Sequence, residues 1–409
     1  MRNYDWIIMG GGASGLALCN ELISSSLRGD ILLIESNEEK WNDRTWCFWS
    51  ENELGESYQS NFFWKKIEIR TSSGSREFKS DPFSYRLIRS GEFYRKLYDR
   101  LSQNARVTIV REKVERYKSL GPYAEVKTDK NIYRGSWVFN SLLSFAPIPN
   151  SVRGGLKQHF LGSWIRTEKD CFDPGKIRLM DFEVKQEGGV QFVYLLPISA
   201  REALVEYTVF SRGVWEKPRY RTAIKSYLLE KFELQDYVIE EEESGVIPMC
   251  PDTFPRITDG RIIHIGSAGG LTKASTGYTF HRIVEDSKAL VKSMAYYGRP
   301  IPDLKATGRF AFYDRLLLWL VKNKPEKVPG IFLHLFSCNP KSVFKFLAEK
   351  SNLLEEIGLF LRLPWPPFLT ALWHEYFKPS STKSLGSISQ HDHLDLPIAK
   401  LAKGNQSGI

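Results

Sequence analysis

The apolar residues of the first 35 positions fall into a strand, a helix and a second strand. Asp5 to Met9 (DWIIM) is a short apolar run of strand length. Leu16-Ala17-Leu18-Cys19-Asn20-Glu21-Leu22 places its apolar side chains at helical spacing, and Ile31-Leu32-Leu33-Ile34 returns to a strand pattern. After about residue 50 the pattern becomes mixed and β-rich. Two strand-like runs stand out there, Phe192 to Pro197 and Ala203 to Phe210, the second with apolar side chains on both faces. A second strand-turn-helix begins at Arg261-Ile262-Ile263-His264-Ile265-Gly266, passes Ser267-Ala268-Gly269-Gly270, and continues as a helix through Ile283 to Met294. From 309 to 377 the chain is aromatic and helix-patterned, in blocks such as Leu316 to Val321 and Ile331 to Leu333. Charges and Pro325, Pro329, Pro364, Pro366 and Pro367 interrupt these blocks before they reach spanning length. From Lys378 onward the composition is that of a mobile tail, where His391-Asp392-His393 reads as incidental and not as a metal site.

The first strand runs into its helix through Gly10-Gly11-Gly12-Ala13-Ser14-Gly15. G-x-G-x-x-G carries meaning in this strand-turn-helix context. Gly10 permits the tight turn, Gly12 lets backbone amides approach a pyrophosphate, and Gly15 lets the helix pack on its strand. The amides of Ala13 and Ser14 lie at a helix N-terminus, which favours negative charge. Glu35 ends the second strand 20 residues beyond Gly15, where a carboxylate accepts hydrogen bonds from ribose hydroxyls. A nucleotide cofactor is therefore expected, and the motif alone does not separate NAD from FAD.

Charge and composition narrow the partners. The net charge is +9, yet no motif for RNA or DNA is visible. Between residues 305 and 350 there are nine Lys/Arg against three Asp/Glu, within an aromatic helical region. That combination favours an anionic membrane surface over nucleic acid. The five cysteines are scattered without a CxxC pair, so no metal site and no disulfide framework is expected. No signal-peptide pattern opens the sequence. The expected location is peripheral, on the cytoplasmic side of the cell membrane; nothing in the sequence fixes an oligomeric state.

The late strand-turn-helix with Gly266 resembles the return segment of FAD-binding proteins of the glutathione-reductase and hydroxybenzoate-hydroxylase type, with Ser267 where those proteins carry an acid. In such proteins an arginine placed like Arg89, at the head of a helix, touches the flavin; a plain surface role is the alternative. Four further segments resemble the lycopene cyclase family, mainly its bacterial flavin-containing branch. They are Asp43-Arg44-Thr45-Trp46-Cys47-Phe48-Trp49, Phe192-Val193-Tyr194-Leu195-Leu196-Pro197, Ala203-Leu204-Val205-Glu206-Tyr207-Thr208 and Ser275-Thr276-Gly277-Tyr278. Lys273 and Ala274 depart from the family pattern. The resemblance covers about residues 1 to 350.

That resemblance implies an α/β fold with a Rossmann-like FAD-binding domain interleaved with a mixed β-sheet substrate domain, followed by a helical region. The expected division is 1–75 and 255–300 for FAD, 76–254 mostly for the substrate sheet with some flavin-contacting helix, 301–377 for membrane-associated helices, and 378–409 for the tail. It implies reduced FAD as cofactor, NAD(P)H as its reductant, and lycopene or another acyclic carotenoid as substrate. Gly10, Gly12, Ala13, Ser14, Gly15, Glu35, Arg44, Arg89, Gly266, Thr276, Gly277 and Tyr278 are the expected cofactor residues. The implied reaction protonates a terminal double bond, closes a ring on the resulting cation and loses a proton, without net redox change.

Glu206 fits the acid. Period-2 alternation puts it on one face with Leu204, Thr208 and Phe210, where lost hydration raises a carboxyl pKa. Trp46, Phe48, Tyr194 and Tyr207 are candidates to face the cation, although most aromatics in any protein are simply core. The acidic run Glu240 to Glu243 reads as a solvated face. Two other readings stay open: another isoprenoid-acting flavoenzyme (a geranylgeranyl reductase or a squalene-epoxidase-like oxygenase), and a non-catalytic carotenoid- or flavin-binding membrane protein.

Overall fold

A computed structural model of the chain describes residues 3–37, 42–152, 154–302 and 308–377. The tail and its His391-Asp392-His393 lie outside the described residues. The first sheet is built on five parallel strands in the spatial order Ile262–His264, Ile132–Asn140, Asn3–Met9, Ile31–Glu35 and Val107–Arg111. Its central strands are buried on both faces, which is why Ile7-Ile8-Met9 and Ile31 to Ile34 read as unbroken apolar runs and do not alternate. Helices Ala13–Ser24 and Phe280–Tyr297 pack over one face together with Ser90–Ser102. The antiparallel hairpin Val114–Ser119 and Ala124–Thr128 covers the other.

The second sheet has seven strands. Its order is Val238–Met249, Leu156–Arg166, Glu202–Ser211, Val190–Pro197, Lys176–Asp181, Lys66–Thr71 and Gly74–Lys79. One face is closed by the helix Lys217–Phe232 through Tyr220, Ile224, Tyr227 and Leu228. The other face carries Leu204, Trp164, Phe192, Tyr194 and Phe210 into the largest core, which the C-terminal helices complete.

A third, three-stranded sheet (Thr45–Ser50, Ser84–Arg89, Phe62–Trp64) joins the two halves. Alternation splits its first strand cleanly. Trp46 and Phe48 enter the nucleotide-side core, while Cys47 and Trp49 enter the core under the second sheet.

The interleaving is finer than the sequence division. Lys66–Thr71 already belongs to the second sheet, whereas Val107–Arg111 and Ile132–Asn140 return to the first. The boundary at residue 75 is thus corrected: short apolar strands look alike in sequence whichever sheet they join, and only the pairing tells them apart. The C-terminal helices are Gly308–Asn323, Val328–Phe336, Pro340–Leu347, Leu353–Phe360 and Trp365–Tyr376. Prolines in the first turn start three of them, and Asn352 caps another in a reciprocal box with Glu355. Among the described residues, no helix is long and apolar enough to cross a membrane.

Candidate active site

The glycine loop is tied at both ends. The Gly10 N–H donates to the Ile34 carbonyl at 2.8 Å, and Gly10 itself has φ +94°. A Cβ on Gly15 would overlap the Gly10 carbonyl oxygen, so no other residue fits there. The helix Ala13–Ser24 begins at Gly12 with no side-chain cap, leaving its first-turn N–H groups facing outward for an acceptor. Glu35 accepts the Gly11 N–H at 2.7 Å on one carboxylate oxygen and the Asn37 N–H at 2.9 Å on the other. It thereby fixes the loop from the second strand.

The return segment comes back to this helix. Gly266 has φ +60° and lies so close to Ser14 that a Cβ would meet the Ser14 hydroxyl. A few residues on, Gly277 (φ +73°) presses against the Gln158 amide of the second sheet. Thr276 Oγ1 and Gln158 Oε1 are buried there without a hydrogen-bond partner among the described residues. An uncapped helix start, a close-packed glycine loop and two orphaned polar atoms, one on the return loop and one on the second sheet, fit a dinucleotide cofactor reaching from the first sheet to the second.

Beside that loop lies the acidic centre. Glu206 projects from Glu202–Ser211 onto the face shared with Leu204, Thr208 and Phe210. Its neighbours in register are Tyr194 on one side and Gly162 on the other, and beyond Gly162 stands Glu243. Cross-strand partners share a face, so Tyr194, Glu206, Gly162 and Glu243 form one row across four strands. Thr208 Oγ1 donates to Glu206 Oε1 at 2.8 Å. Glu206, Cys47 and Tyr278 are deeply enclosed yet keep some accessible surface, so they line an internal space.

Burial raises Glu206 to about 8, reinforced by the charge of Glu243 and opposed by the Thr208 hydrogen bond. Burial also raises Glu243, to about 7, opposed by a hydrogen bond from Thr45 and by the Arg44 and Arg89 guanidinium groups. Around the two acids stand groups that stay neutral. Burial pushes the Cys47 thiol and the Tyr85 and Tyr194 phenols well above their ordinary values, and Tyr278 up to about 12. Tyr278 Oη lies 3.5 Å from Tyr85 Oη. Trp49 closes the wall, stacked on Phe344 of the helical region at 4.0 Å. A protonated carboxyl at neutral pH in an enclosed, aromatic-walled space is equipped to deliver a proton to an apolar molecule.

The sequence candidates separate on this geometry. Glu206, Tyr194 and Tyr278 come together. Trp46 and Phe48 do not join them, because they stack on Phe280 at 5.0 and 5.6 Å in the nucleotide-side core. Tyr207 is corrected likewise. It points to the opposite face, donates to Gln191 at 2.9 Å and stacks on Trp215. Arg89 is engaged by the Glu241 carboxylate and lies over the Trp164 ring at 4.4 Å. Arg44 reaches the Asp43 and Ser244 carbonyls at 2.6 and 3.4 Å.

The acidic run is also corrected. Glu240, Glu241 and Glu242 pair with Arg166, Arg89 and Arg221 and keep partial exposure, while Glu243 is buried. Thr45, Cys47, Trp49, Tyr85 and Glu243 are site residues that sequence reasoning missed. Strand parity in Thr45–Ser50 and in the acidic run was the available signal. Lys273 is buried between Asp314 (2.9 Å) and Glu349 (2.9 Å), tying the return loop to the helical region.

Comparison with known proteins finds relatives along nearly the whole chain. The family model described as lycopene cyclase protein matches residues 5–373. A lycopene beta-cyclase of Pseudescherichia vulneris is 23% identical over 388 residues, 89% of this chain and 95% of that protein. Among solved structures, a geranylgeranyl bacteriochlorophyll reductase-like protein of Thermoplasma acidophilum aligns with a TM-score of 0.56 at 13% identity, covering 92% of this chain and 97% of that one. The p-nitrophenol 4-monooxygenase PnpA of Pseudomonas putida aligns with a TM-score of 0.57 at 13% identity, covering 89% and 99%. A variant of Klebsiella pneumoniae HpxO complexed with FAD aligns at 0.53 and 15% identity, covering 90% and 99%. These alignments establish that the chain has the fold those proteins share.

Proposed function

The chain belongs to the lycopene cyclase family, and on that premise we propose that it is a lycopene β-cyclase that protonates the terminal double bonds of lycopene and closes β-ionone rings to give β-carotene. The observation that carries the proposal is the Glu206 carboxyl, held protonated to about pH 8 within an enclosed, aromatic-walled space. Glu206 donates its proton to the terminal alkene, and the neighbouring double bond closes on the cation. Tyr194, Tyr278 and Trp49 present rings to that cation, each worth ~0.5–2 kcal/mol when desolvated. A positioned general acid adds about 10²–10⁴ in rate.

Gly10, Gly12, Ala13, Ser14, Gly15, Glu35, Gly266, Thr276 and Gly277 are the residues that would hold FAD, with NAD(P)H as its reductant. Reduced FAD, when bound, would supply electron density next to the cation in a reaction with no net redox change.

Access from a bilayer suits the helical region. Leu353, Ile357, Leu361, Trp365, Leu369, Trp373 and Phe377 recur at intervals of four and are all exposed, as is Leu354 at 81%. Exposed Lys350 and Arg362 flank them. Exposed apolar side chains on two successive helices, with basic neighbours, fit an interfacial membrane contact through which a long polyene enters.

Expression in lycopene-accumulating bacteria tests the proposal. Conversion of red lycopene to orange-yellow β-carotene supports it, and an unchanged polyene counts against it.

A further inference from the structure

Protonation by Glu206 leaves the other buried carboxyl on its face of the sheet, Glu243, without a task. Glu243 sits two strands away across the narrowest point of the sheet face, because Gly162 between them has no side chain. By the usual strand spacing their backbones are about 10 Å apart. The Glu243 side chain folds over the gap: its Cγ and Oε1 lie 3.3 and 3.5 Å from where a Gly162 Cβ would stand. The two acids thus share this face across Gly162, where the Leu204 Cδ1 methyl, 3.1 Å from the same point, lies beside the Glu243 side chain.

Their surroundings differ in a directed way. Glu243 accepts a hydrogen bond from Thr45 and has the Arg44 and Arg89 guanidinium groups close by, together with Asp43. Glu206 has no cation among its perturbing neighbours and only the Thr208 hydroxyl as donor. From the other elements, Cys47, Tyr85, Tyr194 and Tyr278 face the pair as neutral groups. The proton thus belongs on Glu206 and the charge on Glu243.

We propose that Glu243 is the base of the cyclisation, taking the ring proton and passing it back to Glu206 across Gly162. The inference rests on the cyclase reading. The step balances. The Glu206 O–H bond breaks as a C–H bond forms at the chain terminus. The ring C–C bond closes, and a ring C–H bond breaks to leave the ring double bond as its proton forms an O–H bond on Glu243. Transfer of that proton to the Glu206 carboxylate restores the starting state, and no electron is gained or lost.

The test is the pH dependence of kcat/KM for β-ring formation from lycopene in vesicles with reduced FAD, for the wild-type chain, Glu243→Gln and Glu243→Asp. The wild type is expected to give a narrow bell, falling below about 7 as Glu243 takes a proton and above about 8 as Glu206 loses one. Glu243→Gln is expected to lose ~10²-fold or more in rate and the whole acidic limb. Glu243→Asp restores the limb and part of the rate, and carries the test by itself if the amide variant does not fold. A folded Glu243→Gln protein within a few-fold of wild type, or one slowed with its acidic limb intact, overturns the inference and leaves the cyclase reading standing. A wild-type chain that forms no ring overturns the cyclase reading itself.

Discussion

Keeping Glu206 protonated has a thermodynamic consequence that separates it from an ordinary buried residue. In the unfolded chain its carboxyl ionises near 4.5, whereas in the folded protein it holds its proton to about 8. Between those values the folded state carries one more proton than the unfolded state, so stability falls as pH rises. The slope is about 1.4 kcal/mol per pH unit. Below 4.5 both states are protonated and the penalty vanishes; above 8 it is constant. At pH 7 it amounts to about 3 kcal/mol.

Glu206→Gln keeps the shape and a hydrogen-bonding amide but has no proton to hold. The variant should gain stability over wild type progressively from pH 5 to pH 7, while losing cyclisation. Glu243 titrates in both proteins and largely cancels from the difference. Urea unfolding at pH 5, 6 and 7 measures this, and a fixed offset between folds, such as a changed packing contact, does not alter the slope. A stability difference that stays flat with pH refutes the reasoning, because the carboxyl would then ionise in the fold as it does in the unfolded chain.

Three other outcomes follow from the same geometry. Gly15→Ala should give a chain that no longer copurifies with yellow flavin absorption, since its methyl collides with the Gly10 carbonyl; undiminished colour would contradict the loop's role. Lys273→Met strands the carboxylate of Asp314 in the interior, while Glu349 keeps Arg282, and should cost about 3–5 kcal/mol in unfolding free energy; a loss under about 1 kcal/mol would mean the cluster is not held as described. Replacing Leu354 and Trp373 by Asp should weaken flotation with anionic vesicles while leaving thermal stability within about 0.5 kcal/mol, as expected for exposed positions; unchanged flotation would move the membrane contact elsewhere.

Much of the nucleotide half is legible in the sequence because its signals are local. A glycine loop between strand and helix, and an acid at the next strand's end, are fixed by neighbours within about 30 residues, the span of one strand-helix-strand unit. The face of Glu206 is legible for the same reason: alternation along one strand needs no partner.

What the sequence hides is everything that depends on pairing. Thr45–Ser50 alternates, but only its place between two cores decides that Cys47 meets Glu206 and Trp49 meets Tyr278 while Trp46 and Phe48 pack on the nucleotide side. Four consecutive acids suggest solvent, yet the strand Val238–Met249 pairs with Leu156–Arg166 in a register that sets Glu243 opposite Gly162. A glycine in the middle of a long strand was the visible hint of a close approach. Lys273 gave no hint, since its partners Asp314 and Glu349 lie 41 and 76 residues away.

The most direct measurement is made on the product itself. Purified protein, FAD, NAD(P)H and lycopene are incubated in D₂O, and the carotenoids are separated and weighed by mass spectrometry while nicotinamide oxidation is followed. The account predicts β-carotene carrying deuterium in its newly closed rings, with nicotinamide consumed only to prime the flavin. Saturated or oxygenated products, or nicotinamide oxidised in step with each substrate molecule, would contradict it.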